Sequence, residues 1–277
     1  MYFLGLDGGG TGCRAALCDD TGRRLGEGRA GPANIATDYD MARANILAAC
    51  SQAIAGVCPP SAVRAVLGVA GANLSGAGQQ LAASMPFAHL RVVQDIVISV
   101  RGALHNDDGI VAALGTGSVF ARQLDGEIRS VGGWGLRLGD EGSGAWIGRA
   151  ILMRATRALD GLVAATPLLA TLCGEMGGGP GIVSFSLHAT PADYAALVPR
   201  VLAARNDPAA HAVLEAARAE IRALIAHLQP DGARLPVCWL GGLGPTLALP
   251  DWPVRTPLGT AVDGALWMAQ EEKEWPI

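Results

Sequence analysis

The chain has 277 residues, of which 50% are hydrophobic and only 17% are charged, a composition that favours a globular protein with a large buried core over a disordered one. The formal net charge of −4 provides no basic surface for a nucleic acid, and the single lysine, Lys273, argues against a catalytic lysine. The six cysteines form no CxxC pair and no apolar run approaches the length of a membrane span, so we expect a reduced, soluble, cytoplasmic protein.

A glycine-rich turn between two apolar segments opens the chain. An apolar run from Tyr2 ends on Asp7, three glycines and Thr11 follow, and a second apolar run ends at Cys18. Adjacent glycines let backbone N–H groups approach an anion, and a carboxylate suits a hard cation such as Mg²⁺. The spacing matches neither a Walker loop nor a Rossmann loop, so it predicts a β-hairpin that binds a polyphosphate with its magnesium. A glycine-rich hairpin without a ligand is the alternative.

The rest of the first half alternates between strand and helix patterns. The predicted elements are a strand at Leu25–Ala30, a helix that Asp38 caps and that ends near residue 57, and strands at Ala65–Ala70 and Leu90–Gln94. The Ala65–Ala70 strand ends in a Gly71–Asn73 turn, and the next strand ends on Asp95. This order of elements, with apolar strands, predicts α/β layers around a mixed sheet.

The second half begins near Asn106 and repeats the design of the opening hairpin. Gly109–Leu114 predicts a strand, Gly115–Ser118 a turn of glycines and hydroxyls, and Val119–Leu124 a second strand. The repeat indicates a diverged duplication with one phosphate loop in each half. The later predicted elements are a glycine-rich stretch at 132–144, helices at 145–159, 190–204 and 207–228, a strand at 236–240 and a final helix from about Thr260.

Five features share one kind of position, because each follows the end of a predicted strand. They are the turns at Asp7–Thr11, Gly71–Asn73, Gly115–Ser118 and Gly241–Gly244, together with Asp95. In open α/β sheets, ligands bind beyond the carboxyl ends of the strands. We therefore expect these features to face one cleft.

These motifs resemble the sugar kinase, actin and heat-shock ATPase superfamily, and within it the N-acetylglucosamine and glucosamine kinases of the BadF/BadG/BcrA/BcrD ATPase family. The resemblance extends from Leu4 to about Ala269 and is most specific in the stretches LGLDGGGTGCRAAL, ALGTGSV and GGWGLRLGDEGS. It implies an α/β fold of two similar actin-like (ribonuclease H-like) domains, 1–105 and 106–277, each with a mixed five-stranded sheet, and a nucleotide cleft between them. It also implies that the last helix, about 260–272, packs back on the first domain.

The resemblance implies a role for each residue of the motifs. Asp95 matches the carboxylate that accepts the proton of the sugar 6-hydroxyl, and Asp7 matches the carboxylate that holds Mg²⁺ through water. The residues implied to contact ATP are Asp7, Gly8, Gly9, Gly10, Thr11, Gly115, Thr116, Gly117, Gly241 and Gly242. The residues implied to contact the sugar are Asn34, Ser118, Gly133, Trp134, Gly135 and Asp140.

The implied activity is that of an ATP- and Mg²⁺-dependent amino-sugar kinase that phosphorylates the 6-hydroxyl of N-acetylglucosamine or glucosamine. The expected partner is a small-molecule sugar, with no nucleic acid and no membrane, and a homodimer is left open. The chemistry is consistent with the composition, because phosphoryl transfer needs positioning and charge stabilisation, which N–H-rich loops and Mg²⁺ supply without a lysine. The sequence does not distinguish glucosamine, N-acetylglucosamine and other hexoses, since the group at C2 is recognised by the shape of the pocket.

Several of these residues also have a purely structural interpretation. Asp95 could cap the helix that follows it, and Asp140 and Glu141 could stabilise the positive N-terminus of the 145–159 helix. Trp134 could be a packing anchor, and Asn34 could be a turn residue. The position of Asp95 at a strand end favours catalysis.

Three other functions compete with that of an amino-sugar kinase. An ATPase activator of a CoA-ester reductase or dehydratase would hold an iron–sulfur cluster through cysteines, and the strand before the second phosphate loop has Ala112-Ala113-Leu114 instead. A repressor-type sugar kinase often carries a zinc-binding cysteine cluster, whereas Cys173 stands alone. A non-catalytic nucleotide or sugar sensor would need the phosphate loops but not Asp95.

Overall fold

The computed structural model describes residues 1–72, 76–232 and 234–271. Asn73 of the predicted Gly71–Asn73 turn and residue 272 of the predicted last helix lie outside the described residues. Among the helices of these three ranges, none has both the length and the apolar character that crossing a membrane requires.

The described strands are β1 Tyr2–Gly8, β2 Cys13–Cys18, β3 Arg24–Ala30, β4 Val63–Val69, β5 His89–Gln94, β6 Gly109–Leu114, β7 Ser118–Leu124, β8 Glu127–Gly132 and β9 Val237–Leu240. The first helices are α1 Tyr39–Ile54, α2 Ala77–Ala83, α3 Asp95–Leu104 and α4 Gly144–Leu159, with a 3₁₀ turn at Pro60–Ala62. The later helices are α5 Pro167–Glu175, α6 Gly178–His188, α7 Pro191–Ala195, α8 Val198–Ala203, α9 Pro208–Leu228, α10 Gly244–Leu247 and α11 Ala261–Glu271.

The first sheet is mixed and has the strand order β3-β2-β1-β4-β5. β1 pairs antiparallel with β2 and parallel with β4, which pairs parallel with β5. The register places Gly8 opposite Val69 and Val69 opposite Gln94, so the three parallel strands end at the same level. The residues that follow them, including Asp95, therefore share one edge of this sheet.

The second sheet has the order β8-β7-β6-β9, which repeats the order β3-β2-β1-β4 of the first. The α/β fold with two mixed sheets is therefore confirmed. The prediction of five strands in the second sheet is wrong for the described residues, where a single parallel bridge between Val237 and Val254 takes the fifth position. Pro253 and Pro257 flank this bridge, and since proline cannot donate a ladder hydrogen bond, the pairing does not extend.

Two further differences from the predicted elements concern helices and a strand. The helix predicted at 190–204 is two shorter helices, α7 and α8, because Pro199 has no N–H to continue the hydrogen-bond pattern between them. The structure also contains α2, α5, α6, α10 and β8, for which no element was predicted.

The chain divides into two compact units. The first unit comprises residues 1–111, 122–128 and 256–277, and the second comprises 112–121 and 129–255. In the first unit, α1 packs on β2 and β3, while α3 and α11 pack together against β1 and β4 on the other face. In the second unit, α4 is central and contacts α5, α7 and α9. The predicted domains, 1–105 and 106–277, stay a prediction.

Candidate active site

Two carboxylates lie at the carboxyl edge of the first sheet. Asp7 is near the end of β1, Asp95 is the first residue of α3, and both side chains are half-buried. Burial raises the pKa of both carboxyl groups. The charge of Asp95 raises the pKa of Asp7 further, whereas the Arg14 guanidinium lowers it. The two carboxylates are thus close enough to interact, and they are disfavoured as an ionised pair.

Asp95 occupies the start of a helix without being its N-cap. The N-cap position is Gln94, whose side chain makes no capping hydrogen bond, and Asp95 Oδ1 accepts a hydrogen bond from the Ile96 N–H at 2.9 Å. This bond fixes one oxygen and also lowers the pKa of Asp95, although burial outweighs it. The local bond shows a helix-start role, and it leaves the second carboxylate oxygen available to a ligand.

The first glycine turn is held at its base and open at its tip. The N–H of Gly9 donates to the Gly12 carbonyl at 3.0 Å, and the Gly9 carbonyl accepts from the Ala33 N–H at 2.9 Å. A Cβ at Gly10 would have no atom within 4 Å, and Thr11 is exposed. The tip of the turn is therefore open to a ligand, as a phosphate-binding loop requires.

Asn34 lies beside the same sheet edge and forms a turn there. Its Oδ1 accepts the Ala36 N–H at 2.9 Å, so the prediction that Asn34 could act as a turn residue is confirmed. Gly71, with a φ of 84°, allows this approach, since a Cβ there would lie 2.8 Å from Asn34 Oδ1. The turn places Asn34 near the strand ends, and its role as a sugar contact stays a prediction.

The second glycine turn, Gly115–Gly117, connects β6 to β7 and is tied to the start of α4. Its carbonyls at Gly115 and Thr116 accept hydrogen bonds from the Gly144 and Ala145 N–H groups at 2.8 and 3.0 Å. The turn itself is closed by a bond from the Gly115 N–H to the Gly117 carbonyl at 2.9 Å. Because its carbonyls are directed to the helix, the turn is fixed relative to α4.

The glycine turn after β9 contacts the end of β6. Gly241 has a φ of 77°, and a Cβ there would overlap the Leu114 carbonyl. The same carbonyl accepts the Leu243 N–H at 3.0 Å. Gly242 faces open space, with no atom within 4 Å of a Cβ position. In the second unit, the predicted phosphate turn and the predicted adenosine turn are therefore direct neighbours.

Asp140 is a buried carboxylate held in an unusual backbone conformation. It is 7% exposed and has a φ of 60°, a left-handed conformation that costs a non-glycine residue free energy. Its Oδ1 accepts the Gly135 N–H at 3.1 Å, and its Oδ2 lies beside Gly117, where a Cβ would be 2.9 Å away. Burial raises the pKa of Asp140. This carboxylate therefore joins the GGWG segment to the second phosphate turn.

The N-cap of α4 is Ser143, whose Oγ accepts the Trp146 N–H at 3.1 Å. The interpretation that the charge of Asp140 stabilises the positive N-terminus of α4 stays a prediction. Trp134 is 68% exposed, so it is not a packing anchor. Ser118 is buried, and its hydroxyl donates to the Glu141 carbonyl at 2.8 Å. The hydroxyl of Ser118 thus supports the glycine-rich loop.

Two arginines near these loops were not predicted as site residues. Arg149 of α4 donates from Nη1 to the Leu136 carbonyl at 2.9 Å and so fixes the GGWG…GDEGS loop. Arg14 is the exposed residue of the otherwise buried strand β2, directly opposite Asp7. A charged side chain inside an apolar strand was a signal in the sequence for Arg14, whereas nothing in the sequence indicated the role of Arg149.

The described residues suit Mg²⁺ bound together with a nucleotide. They contain no group of three or more His, Cys, Asp or Glu side chains that could hold a metal ion by themselves. Mg²⁺ is normally held by one or two carboxylates, water and substrate phosphates. Asp7 supplies such a carboxylate, and an adjacent cation would oppose the rise in its pKa that burial causes.

Comparison with known proteins decides the family. The model of the BadF/BadG/BcrA/BcrD ATPase family matches residues 4–248. The chain belongs to this family. Its predicted family membership is thereby confirmed.

Two relatives of this BadF/BadG/BcrA/BcrD ATPase family member are named as amino-sugar kinases. The chain is 30% identical to the glucosamine kinase GspK of Vibrio cholerae, over 97% of this chain and 95% of that protein. A Chromobacterium violaceum crystal structure, of a protein proposed to be an N-acetylglucosamine kinase, superposes with a TM-score of 0.84 at 34% identity, covering 97% of this chain and 99% of that one.

A more distant structure shares the fold. It is a ROK family glucokinase from Streptomyces griseus, solved in complex with glucose and AMPPNP. Its TM-score is 0.59 at 19% identity, with 98% of this chain and 100% of that chain covered.

Proposed function

We propose that this protein transfers the γ-phosphoryl group of ATP to the 6-hydroxyl of an amino sugar, glucosamine or N-acetylglucosamine. One observation carries the proposal: Asp95 lies at the same sheet edge as the open glycine turn and Asp7, and the Asp95 charge raises the pKa of Asp7. A phosphate loop, a metal carboxylate and a second carboxylate in one place are the parts that phosphoryl transfer to a hydroxyl needs. The names of the two relatives support an amino sugar as acceptor.

Asp95 is the proposed general base. As the sugar hydroxyl attacks phosphorus, its proton passes to the free carboxylate oxygen of Asp95, a P–O bond to the sugar forms, and the P–O bond to ADP breaks. The Ile96 N–H holds the other oxygen and so orients the carboxylate. Burial raises the pKa of Asp95, which brings its proton affinity closer to that needed near neutral pH.

The backbone of the glycine turns is the proposed site of the ATP phosphates. Gly10 and Thr11 of the first turn, and Thr116 and Gly117 of the second, would donate N–H or hydroxyl groups to phosphate oxygens, while the Gly115 N–H closes the second turn. Mg²⁺, held by Asp7 through water, would neutralise charge on the phosphates when bound. Gly242 has the open surroundings that a nucleoside would need.

The proposed sugar contacts are mostly uncharged. They are the side chains of Asn34, Ser118 and Asp140 and the exposed loop at Gly133, Trp134 and Gly135. A set with one carboxylate suits a neutral or cationic hexose, because a multiply anionic acceptor would require arginine partners. This favours an amino sugar over a sugar phosphate.

A coupled ADP-release assay tests the proposal with glucosamine, N-acetylglucosamine and glucose as acceptors. We expect the highest kcat/KM with an amino sugar. Asp95→Asn keeps the size of the side chain and removes the base, so kcat should fall by about two to four orders of magnitude while the ATP affinity stays nearly unchanged. Asp40→Asn is the matched control, since Asp40 is an exposed acidic residue in the first turn of α1.

Two results would contradict the proposal. Near-normal turnover of Asp95→Asn would leave Asp95 with its helix-start role alone. If no sugar raised ADP release above the sugar-free rate, and a CoA-ester enzyme stimulated ATP hydrolysis instead, the activator function would replace the kinase function.

A further inference from the structure

Three charged residues form a row across the first three strands of the sheet. The register places Asp7 of β1 opposite Arg14 of β2, and Arg14 opposite Arg29 of β3. Residues directly opposite each other in antiparallel strands point to the same face. Further down this face, Phe3 and Ala16 pack with α11, so the row lies beyond the helix-covered part of the sheet.

Within the three described ranges, neither arginine of this row is held by a direct contact of its guanidinium. Both side chains are exposed, and in the described part of the chain neither guanidinium makes a hydrogen bond or an ion pair. Arg14 acts on Asp7 only through its charge, which lowers the pKa of that carboxyl group. Like charges directly opposite each other in a sheet are destabilising, so the Arg14–Arg29 pair is a local cost to the fold. An anionic ligand would offset that cost.

The row ends at the first glycine turn. Arg14 is the second residue of β2, two positions after Gly12, at which the turn ends. Its guanidinium therefore has a short path to the region in front of Gly10 and Thr11. Arginine forms bidentate, charge-assisted hydrogen bonds with phosphate, a geometry that a lysine does not reproduce.

We propose that Arg14 binds the terminal phosphates of ATP and supplies a cation at this site, in a chain that has one lysine. The inference rests on the proposed kinase function, because ATP is the anion that the adjacent turn would hold. Arg29 strengthens the positive potential behind Arg14. An amino sugar is neutral or cationic and so would not be attracted to this pair.

Titration calorimetry with Mg²⁺–ATP on the full chain tests the inference. Arg14→Gln should weaken ATP binding by about ten- to a hundred-fold, the range expected for hydrogen bonds to a charged group. Arg14→Lys should retain part of the affinity, because it keeps the charge and loses the bidentate geometry. Arg23→Gln is the matched control, since Arg23 is an exposed arginine of the same unit that pairs with Asp19.

Steady-state kinetics distinguish phosphate binding from a structural role. For Arg14→Gln, the KM for ATP should rise while the KM for the amino sugar and the melting temperature stay as in the wild type. Unchanged ATP affinity in Arg14→Gln would overturn the inference and leave the kinase proposal intact. An equal rise of both KM values would also overturn it, by showing general damage to the site. A wild-type protein that binds no ATP would refute the kinase proposal itself.

Discussion

The helices α3 and α11 cross closely, and this contact tests how the carboxyl edge of the first sheet, where Asp95 lies, is supported. A Cβ added at Gly264 of α11 would lie well under 3.0 Å from the Ile98 carbonyl and the Gly102 N–H nitrogen of α3. Both are backbone atoms, so no side chain can rotate away. Gly264→Ala must therefore move the two helices apart by roughly 1 Å to reach ordinary van der Waals contact.

The magnitude follows from two opposing terms. Alanine in a helix is favoured over glycine by about 1 kcal/mol, whereas overpacking a tight contact costs about 1–3 kcal/mol. Since the clash at Gly264 involves backbone on both sides, we expect the upper part of that range and a net loss of about 1–2 kcal/mol. This corresponds to a fall in melting temperature of about 2–4 °C for a protein of this size.

Differential scanning calorimetry measures this change, with Gly174→Ala as the matched control. Gly174 is also a helical glycine, but a Cβ there has no atom within 4 Å, so only the helix-propensity gain remains and the melting temperature should rise. Because α3 begins with Asp95, Gly264→Ala should also lower kcat. A Gly264→Ala protein that melts at or above the wild-type temperature would show that the helices separate without cost.

Two further predictions concern the carboxylates of the site. Gly117→Ala places a Cβ 2.9 Å from Asp140 Oδ2, so displacement of Asp140 should raise the KM for the amino sugar about ten-fold, and an unchanged KM would remove Asp140 from the sugar site. A general base must be ionised, and burial raises the pKa of Asp95 above 3.8, so kcat/KM should fall with decreasing pH through an apparent pKa above that value. Because the charges of Asp7 and Asp95 interact, the apparent pKa on the acidic side of the kcat/KM profile belongs to the pair of carboxyl groups. An apparent pKa at or below 3.8 would contradict the raised pKa of Asp95.

The positions of the glycine turns were predictable because their signal is local. Apolar runs that end in glycine, hydroxyl residues or Asp predict strand ends, and parallel strands bring such ends to one edge. Asp95 and the first turn are accordingly placed together by the register of β1, β4 and β5. The repeated strand order of the two sheets was also predictable, since the sequence pattern of β6 and β7 resembles that of β1 and β2.

Features that depend on contacts distant in sequence were not predictable in the same way. Among the described residues, the second sheet lacks a full fifth strand because prolines bracket Val254, yet the apolar pattern alone does not show which segment would pair with Val237. The left-handed conformation of Asp140 is maintained by the Gly135 N–H and by the space beside Gly117, both of which exist only in the folded chain.

The pairing of Asp7 with Asp95 shows that the candidate site opposes folding stability. Burial raises the folded-state pKa of both carboxyl groups, so the folded state holds their protons more tightly than the unfolded state does. Stability therefore decreases as pH rises from the unfolded pKa through the folded pKa, and the full cost remains above the folded pKa. Sequence rules that maximise stability would not place two carboxylates here. The arrangement makes sense if a cation and a hydroxyl proton are their ligands, which is the chemistry of a magnesium-dependent kinase.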